Sequence, residues 1–358
     1  MPELRLFPYE EFRKCVSQTL RHSPTIFGGY GSPEGYAPFI ERLSLYLRRV
    51  RALSGRRIIV THGSQEAVFL VAQLLLGARD AVAVEELGYP AAWGAFRTAG
   101  ATIVPIRLDE NGIVPEALEA AIGQHKIRLI HLTPHHQYPT TVTLSTERRL
   151  QIYELASHHH IPIIEDDCDH EYHFRSQPIA PIGSSDPSDL VIYCSTLSKL
   201  VFPSIRLGFL AVPETLYEPL LNMRVMTTIQ SGILLQDVLT RWMDTGGFER
   251  HLTRMRLLYQ ERRDALAQAL TDGRRKGLPL TWKVPDGGMA LWLDCGVDSD
   301  AVAREAAARK VFVPPESFYR PLGPVAGTHL RLGYASQTPD EIRRGTALLL
   351  EAIESVAR

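Results

Sequence analysis

Leu190-Val-Ile-Tyr-Cys-Ser-Thr-Leu-Ser-Lys199 is an apolar, β-branched run that passes into a hydroxyl-rich turn and ends on a lysine. The run predicts a buried strand over Leu190–Cys194. A lysine among small hydroxyls at a strand end is placed to form a Schiff base with an aldehyde cofactor. The bland alternative is a surface lysine in a loop. Thr196 and Ser198 offer hydrogen bonds to a phosphate, and Arg206, seven residues on, offers it a forked pair of donors. Upstream, Ile163-Ile-Glu-Asp-Asp-Cys-Asp169 is a second apolar strand ending in a burst of acid. A carboxylate there can keep a pyridinium nitrogen protonated. Its alternatives are a helix N-cap or a metal site, with His170 and His173 nearby.

Outward from these strands the pattern alternates. β-branched runs appear at Arg57–Thr61, Ala81–Val84, Thr102–Ile106, Leu129–Thr133, Ile161–Glu165 and Leu207–Val212. Helical spacing fills Gln65–Leu76, Ala91–Ala99, Pro115–Ile122 and Glu147–His158. Strands apolar along their length and separated by helices predict a mostly parallel seven-stranded sheet with helices on both faces. Ligands of such sheets sit beyond the carboxyl ends of the strands. Before this region, Pro8–His22 and Phe39–Arg51 read as amphipathic helices around a glycine-rich turn. After Val212, Glu214 to about Gly273 reads as helix almost throughout. Strand-like segments follow at Leu280–Val284, Met289–Asp294, Val311–Val313 and His329–Tyr334, then a helix over Asp340–Val356. The expected division is a large domain over 30–245 and a smaller α+β domain from 1–29 and 246–358.

The 358 residues suffice for two domains, and 45% hydrophobic with 22% charged residues is ordinary for a globular protein. A formal net charge of −1, with no basic block, gives no footprint for nucleic acid. No run approaches the length of a membrane span. Cys15, Cys168, Cys194 and Cys295 lie far apart without CxxC spacing, which fits a reducing cytoplasm. His158-His159-His160 reads as the polar end of a helix before Ile161, so no metal site is expected.

Asp166 and Lys199 stand 33 positions apart, with Arg206 seven beyond. This arrangement resembles the fold-type I pyridoxal-phosphate (PLP) aminotransferases. More narrowly, the chain is similar to the aminotransferase-like domain of MocR-type (GntR family) regulators and to the kynurenine and 2-aminoadipate aminotransferases. Tyr30-Gly-Ser-Pro-Glu-Gly35, Thr61-His-Gly-Ser-Gln-Glu-Ala67, Glu86-Leu-Gly-Tyr-Pro90, Thr133-Pro-His-His-Gln-Tyr-Pro-Thr140, Pro285-Asp-Gly-Gly-Met289 and His329-Leu-Arg-Leu-Gly-Tyr334 match its blocks in order.

The resemblance implies that Lys199 carries PLP and that Asp166 pairs with its ring nitrogen. Ser64, Gln65, Thr196, Ser198 and Arg206 would hold the phosphate, and Tyr89 would stack on the ring. Arg331 would grip a substrate carboxylate. Tyr30 would reach the phosphate of a second subunit, which makes a homodimer the expected unit. Two positions depart from the aminotransferase pattern. Cys168 stands where most members have a tyrosine that bonds the ring phenolate, and a thiol is a weak donor. Tyr138 stands for an asparagine that does the same; Gln137 or His136 are further candidate donors.

The implied activity is amino-group transfer between an amino acid and a 2-oxo acid. The alternatives are a PLP- or effector-sensing domain with little turnover, or β-elimination, decarboxylation or racemisation on the same scaffold. Phe27–Tyr36 and Pro314–Gly327 are the expected selectors of the side chain. The sequence opens almost at the family's Leu6-Phe7-Pro8 start, so either a stand-alone enzyme or a piece of a longer regulator is expected.

Overall fold

The computed structural model describes residues 1–22, 28–174, 178–275 and 277–358. Phe27 lies outside them. Seven strands form the main sheet: β1 (Arg57–Thr61), β2 (Ala81–Glu85), β3 (Thr102–Ile106), β6 (Ile127–Leu132), β7 (Ile163–Asp166), β8 (Val191–Thr196) and β9 (Gly208–Val212). Their spatial order is β1-β9-β8-β7-β6-β2-β3. β2, β3, β6, β7 and β8 pair in parallel, and β9 runs opposite to both of its neighbours. β2, β7, β8 and β9 are buried at every residue, which is why they read as unbroken apolar runs and not as alternating ones.

Helices α3 (Ser64–Leu75), α4 (Pro90–Thr98) and α7 (Glu214–Thr227) pack with one face of this sheet. Helices α5 (Pro115–Gln124) and α6 (Thr146–His158) pack with the other. A two-residue hairpin, β4 (Leu108–Asp109) and β5 (Gly112–Ile113), was not expected; strands that short carry no alternation to read.

Helices α1 (Tyr9–His22), α2 (Ala37–Val50), α8 (Ile233–Asp244) and α9 (Gly247–Arg275) share a core with a second, antiparallel sheet of β10 (Thr281–Trp282), β11 (Ala290–Asp294) and β12 (His329–Gly333). Helices α10 (Ser299–Ala308) and α11 (Pro339–Ala357) complete this half. The N-terminal segment is tied down here. Glu3 pairs with Arg262 at 2.6 Å, and the Phe7 ring meets Trp242 at 5.6 Å.

Val311–Val313 is not a strand, contrary to expectation. Pro314 and Pro315 follow it and lack the N–H a ladder needs, so only an isolated bridge, Pro315 to Leu330, forms. Among the described residues, no helix is long and apolar enough to cross a membrane.

Candidate active site

The sheet order decides where the chemistry collects. The carboxyl ends of β1, β7 and β8 lie on one edge, and β9, being antiparallel, starts there. Thr61 of β1 and Thr196 of β8 both pair with Gly208. Three turns remote in sequence therefore meet: Gly63-Ser64 after β1, Thr196–Lys199 after β8, and Arg206 before β9. The approach is so close that a Cβ on Gly208 would lie 2.7 Å from the Gly63 backbone. Gly63 has φ 92° and caps α3 with no side chain. The free N–H groups of the first turn and the helix dipole are thus left open for an anion. Arg206 sits in the left-handed region and donates from Nη2 to the His62 carbonyl at 2.6 Å, which lays its guanidinium against Gly63.

These turns line a cavity of about 370 Å³. It holds Ser64, Gln65, Tyr89, Tyr138, Asp166, Cys168, Thr196, Ser198, Lys199, Arg206 and Arg331, whereas Tyr30 and the described residues of the two expected selector stretches, Phe27–Tyr36 and Pro314–Gly327, do not line it. Tyr30 is 83% exposed and stands outside the cavity of its own chain. The cations Lys199, Arg206 and Arg331 have no carboxylate within 4 Å among the described residues. Ser64 Oγ approaches Cys168 Sγ at 3.8 Å, and Gln65 donates to the Ala91 carbonyl at 2.8 Å while its own Oε1 is buried without a partner.

Asp166 closes the end of β7. Cys168 Sγ donates to its Oδ1 at 3.0 Å, and His131 Nε2 stands 3.8 Å from Oδ2. Burial, and then the charge of Asp166, push the Cys168 thiol well above its ordinary pKa. The thiol is thus a neutral donor committed to Asp166.

Asp167 borders the cavity too, but its Oδ2 is tied into a buried polar network that anchors the acid turn. Tyr193 donates to its Oδ2 at 2.7 Å, and His170 Nδ1 lies 2.9 Å from the same oxygen. Arg51, fully buried, donates to Tyr193 at 2.5 Å, to Ser195 at 2.9 Å and to Glu171 at 2.5 Å. Burial alone would raise the Asp167 carboxyl, but His170, His135 and Arg51 hold it well below the usual range. Burial also pushes His135 well down. Beside it, His136 lies 2.7 Å from Asp169 Oδ1; burial lowers its pKa, but Asp169 outweighs that and raises it.

His135, Asp167 and His170 bring ligating atoms within 4.8 Å of one another. The two imidazoles, however, are stacked at 4.3 Å and 26°. Asp167 Oδ2 is moreover already engaged by His170 Nδ1 and by the Tyr193 hydroxyl.

The opposite wall comes from the second sheet. Arg331 on β12 reaches the cavity, with its Cζ 4.5 Å from the centre of the Tyr138 ring. Thr141, Asp167, Asp169 and Met289 also line the cavity and were not picked out from the sequence. The acids among them lay in plain view in the 165–169 run, but nothing in that run says which side chains face the cavity.

The residues present suit a phosphorylated pyridine aldehyde. There is an anion cradle at α3 with Arg206, a lysine with no ion pair among the described residues, and a carboxylate at a strand end. The comparisons with known proteins point the same way. The sequence model of the family "Aminotransferase class I and II" matches residues 6–349, and the chain belongs to that family. It is similar to the probable rhizopine catabolism regulatory protein MocR of Rhizobium meliloti, 31% identical over 358 residues, covering 98% of this chain and 71% of that protein. It is also similar to aromatic-amino-acid aminotransferase 1 of Thermococcus litoralis, 28% identical over 364 residues and covering 99% and 86% of the two chains. Among solved structures, kynurenine aminotransferase of Pyrococcus horikoshii, crystallised with PMP, superposes with a TM-score of 0.93. That pair is 28% identical, and the match covers all of this chain and 90% of the other. The fold is therefore that of the fold-type I aminotransferases.

Proposed function

We propose that the protein is a PLP-dependent aminotransferase that moves an amino group between an amino acid and a 2-oxo acid. The observation that carries this reading is the single cavity in which Lys199, Asp166, Arg206 and Arg331 meet. Bound PLP supplies an aldehyde and an electron-withdrawing ring. Arg206, Ser64, Thr196, Ser198 and the first N–H groups of α3 hold its phosphate, with Gln65 beside them. Tyr89 flanks the ring, and Asp166 keeps a proton on the ring nitrogen. Lys199 carries the cofactor at rest. Its amine would also move the proton at the substrate Cα, a task worth roughly 10² to 10⁴ in rate. Arg331 takes the substrate carboxylate bidentately.

Sensing without turnover is the second reading, and Cys168 favours it. Its thiol is bonded to Asp166 and is a weak donor, so the ring oxygen is left to Tyr138.

Tyr30 supports a homodimer. It is exposed beside a stretch where Val225, Met226, Ile229 and Leu234 are also exposed, with Gly31 seated on Gln230 and Ile233. Apolar surface of this kind marks protein contact. Tyr30 would then reach the partner's phosphate site. We place the domain division at 30–245 against 1–29 and 246–358; the two separate sheets support it. Four free cysteines accord with a cytoplasmic setting.

The test is the visible spectrum of the PLP-loaded protein before and after a panel of L-amino acids, with Lys199→Ala as control. We expect a lysine-linked cofactor band that the substitution abolishes and that some amino acid converts to the pyridoxamine form. A Lys199-dependent band that no amino acid converts would move the assignment to sensing. No band at all would overturn both readings.

A further inference from the structure

Arg331 is a cavity-facing cation that no acid among the described residues holds. Its Nε is buried without a partner, and its Cζ lies over the face of Tyr138, 4.5 Å from the ring centre. A carboxylate seat would compete with a substrate for the same donors. An aromatic face attracts the cation through its quadrupole and leaves the N–H fork open.

The ring is itself held. The Tyr138 N–H donates to Thr133 Oγ1 at 3.0 Å, and Thr133 donates to the buried Glu85 carboxylate at 2.7 Å. Tyr89 and Tyr319 meet the Tyr138 ring edge-on at 5.7 and 5.4 Å. Next to it in the chain, Gln137 donates to the Leu87 carbonyl at 2.8 Å. The ring is thus boxed between the Tyr89 turn and the segment that carries Tyr319.

We propose that Tyr138 is a positioning residue whose ring face, and not its hydroxyl, seats Arg331 for a substrate carboxylate. This rests on the reading of Arg331 as the carboxylate grip. It also separates two roles of one side chain. A hydroxyl directed at the cofactor is lost in Tyr138→Phe, whereas a seat under Arg331 survives in Tyr138→Phe and is lost in Tyr138→Leu.

The experiment is a calorimetric titration of the PLP-loaded protein with 3-phenylpropionate, a carboxylate that has no amino group and cannot react. It reads binding without needing turnover. We expect Tyr138→Phe to bind within about twofold of the parent and Tyr138→Leu to bind about 5- to 30-fold more weakly, the range a desolvated cation–π contact spans. Arg331→Gln should bind more weakly still. If Tyr138→Leu binds like the parent while Arg331→Gln does not, the seat is wrong and the grip stands. If Tyr138→Phe is as weak as Tyr138→Leu, the hydroxyl and not the face is responsible, and the seat is again wrong. Unchanged binding in Arg331→Gln overturns the grip and the seat together.

Discussion

Arginines occur in two regions of this molecule under opposite terms. In the core, Arg51, Arg224 and Arg262 are buried, and each is matched: to Glu171 at 2.5 Å, to Glu66 at 3.0 Å and to Glu3 at 2.6 Å. At the cavity, Arg206 and Arg331 have no carboxylate within 4 Å among the described residues. Glu66 shows how the sorting is done. It lies one residue from Gln65 in α3, yet it turns to Arg224 and His62 and away from the anion cradle. A buried charge is tolerated when it is paired and hydrogen-bonded, and is costly otherwise. Unpaired cations facing a cavity are therefore the mark of a place that awaits an anion.

The largest effect that would break this contrast is on stability. Arg51→Met should lower stability by about 3–5 kcal/mol, because it strands Glu171 and Asp167 in the core. Arg331→Met should leave stability unchanged or raise it, since a site that is open for a ligand is not optimised for folding. Urea midpoints decide, and equal losses in the two variants would erase the distinction.

A core titration sharpens it next. His251 packs on Phe7 and Trp242, and burial lowers its pKa to about 4. The unfolded chain binds this proton near pH 6.5. The stabilisation is thus complete above that pH and is lost as pH falls towards 4, by about 3 kcal/mol in full. His251→Gln should flatten the stability curve between pH 6.5 and 4. An unchanged slope would show that the histidine is not held neutral.

The smallest effect concerns Gly63. Gly63→Ala would place a Cβ about 3.1 Å from the Arg206 guanidinium at a φ of 92°. It should cost about 1–3 kcal/mol of stability and weaken phosphate or PLP binding. Thermal melts with and without inorganic phosphate check both parts, and a variant that phosphate stabilises as well as the parent would remove the cradle from the site.

The main strands were legible because burial on both faces makes them continuous apolar runs. That Lys199, Asp166 and Arg206 come together at one cavity was legible because polar residues at strand ends are crowded into short stretches. Val311–Val313 misled because composition favours a strand there while the two following prolines deny it a ladder. The anchor beneath the acid turn was not legible, since Arg51 finds Glu171 and Tyr193 across 120 and 142 residues. Nothing local marks such a pairing. Nor did the sequence show that Cys168 is bonded to Asp166 and not left free.

The antiparallel strand β9 has a bearing on how the chain is made. The bond from Arg206 to the His62 carbonyl spans 144 residues, and it exists only once β9 has entered between β1 and β8. Chains emerge amino end first, and contacts of such long range form slowly. The Gly63 half of the anion cradle is synthesised early and waits for its other half. On the proposed reading of the site, phosphate affinity would then appear late in maturation, as a sign that the central sheet has closed.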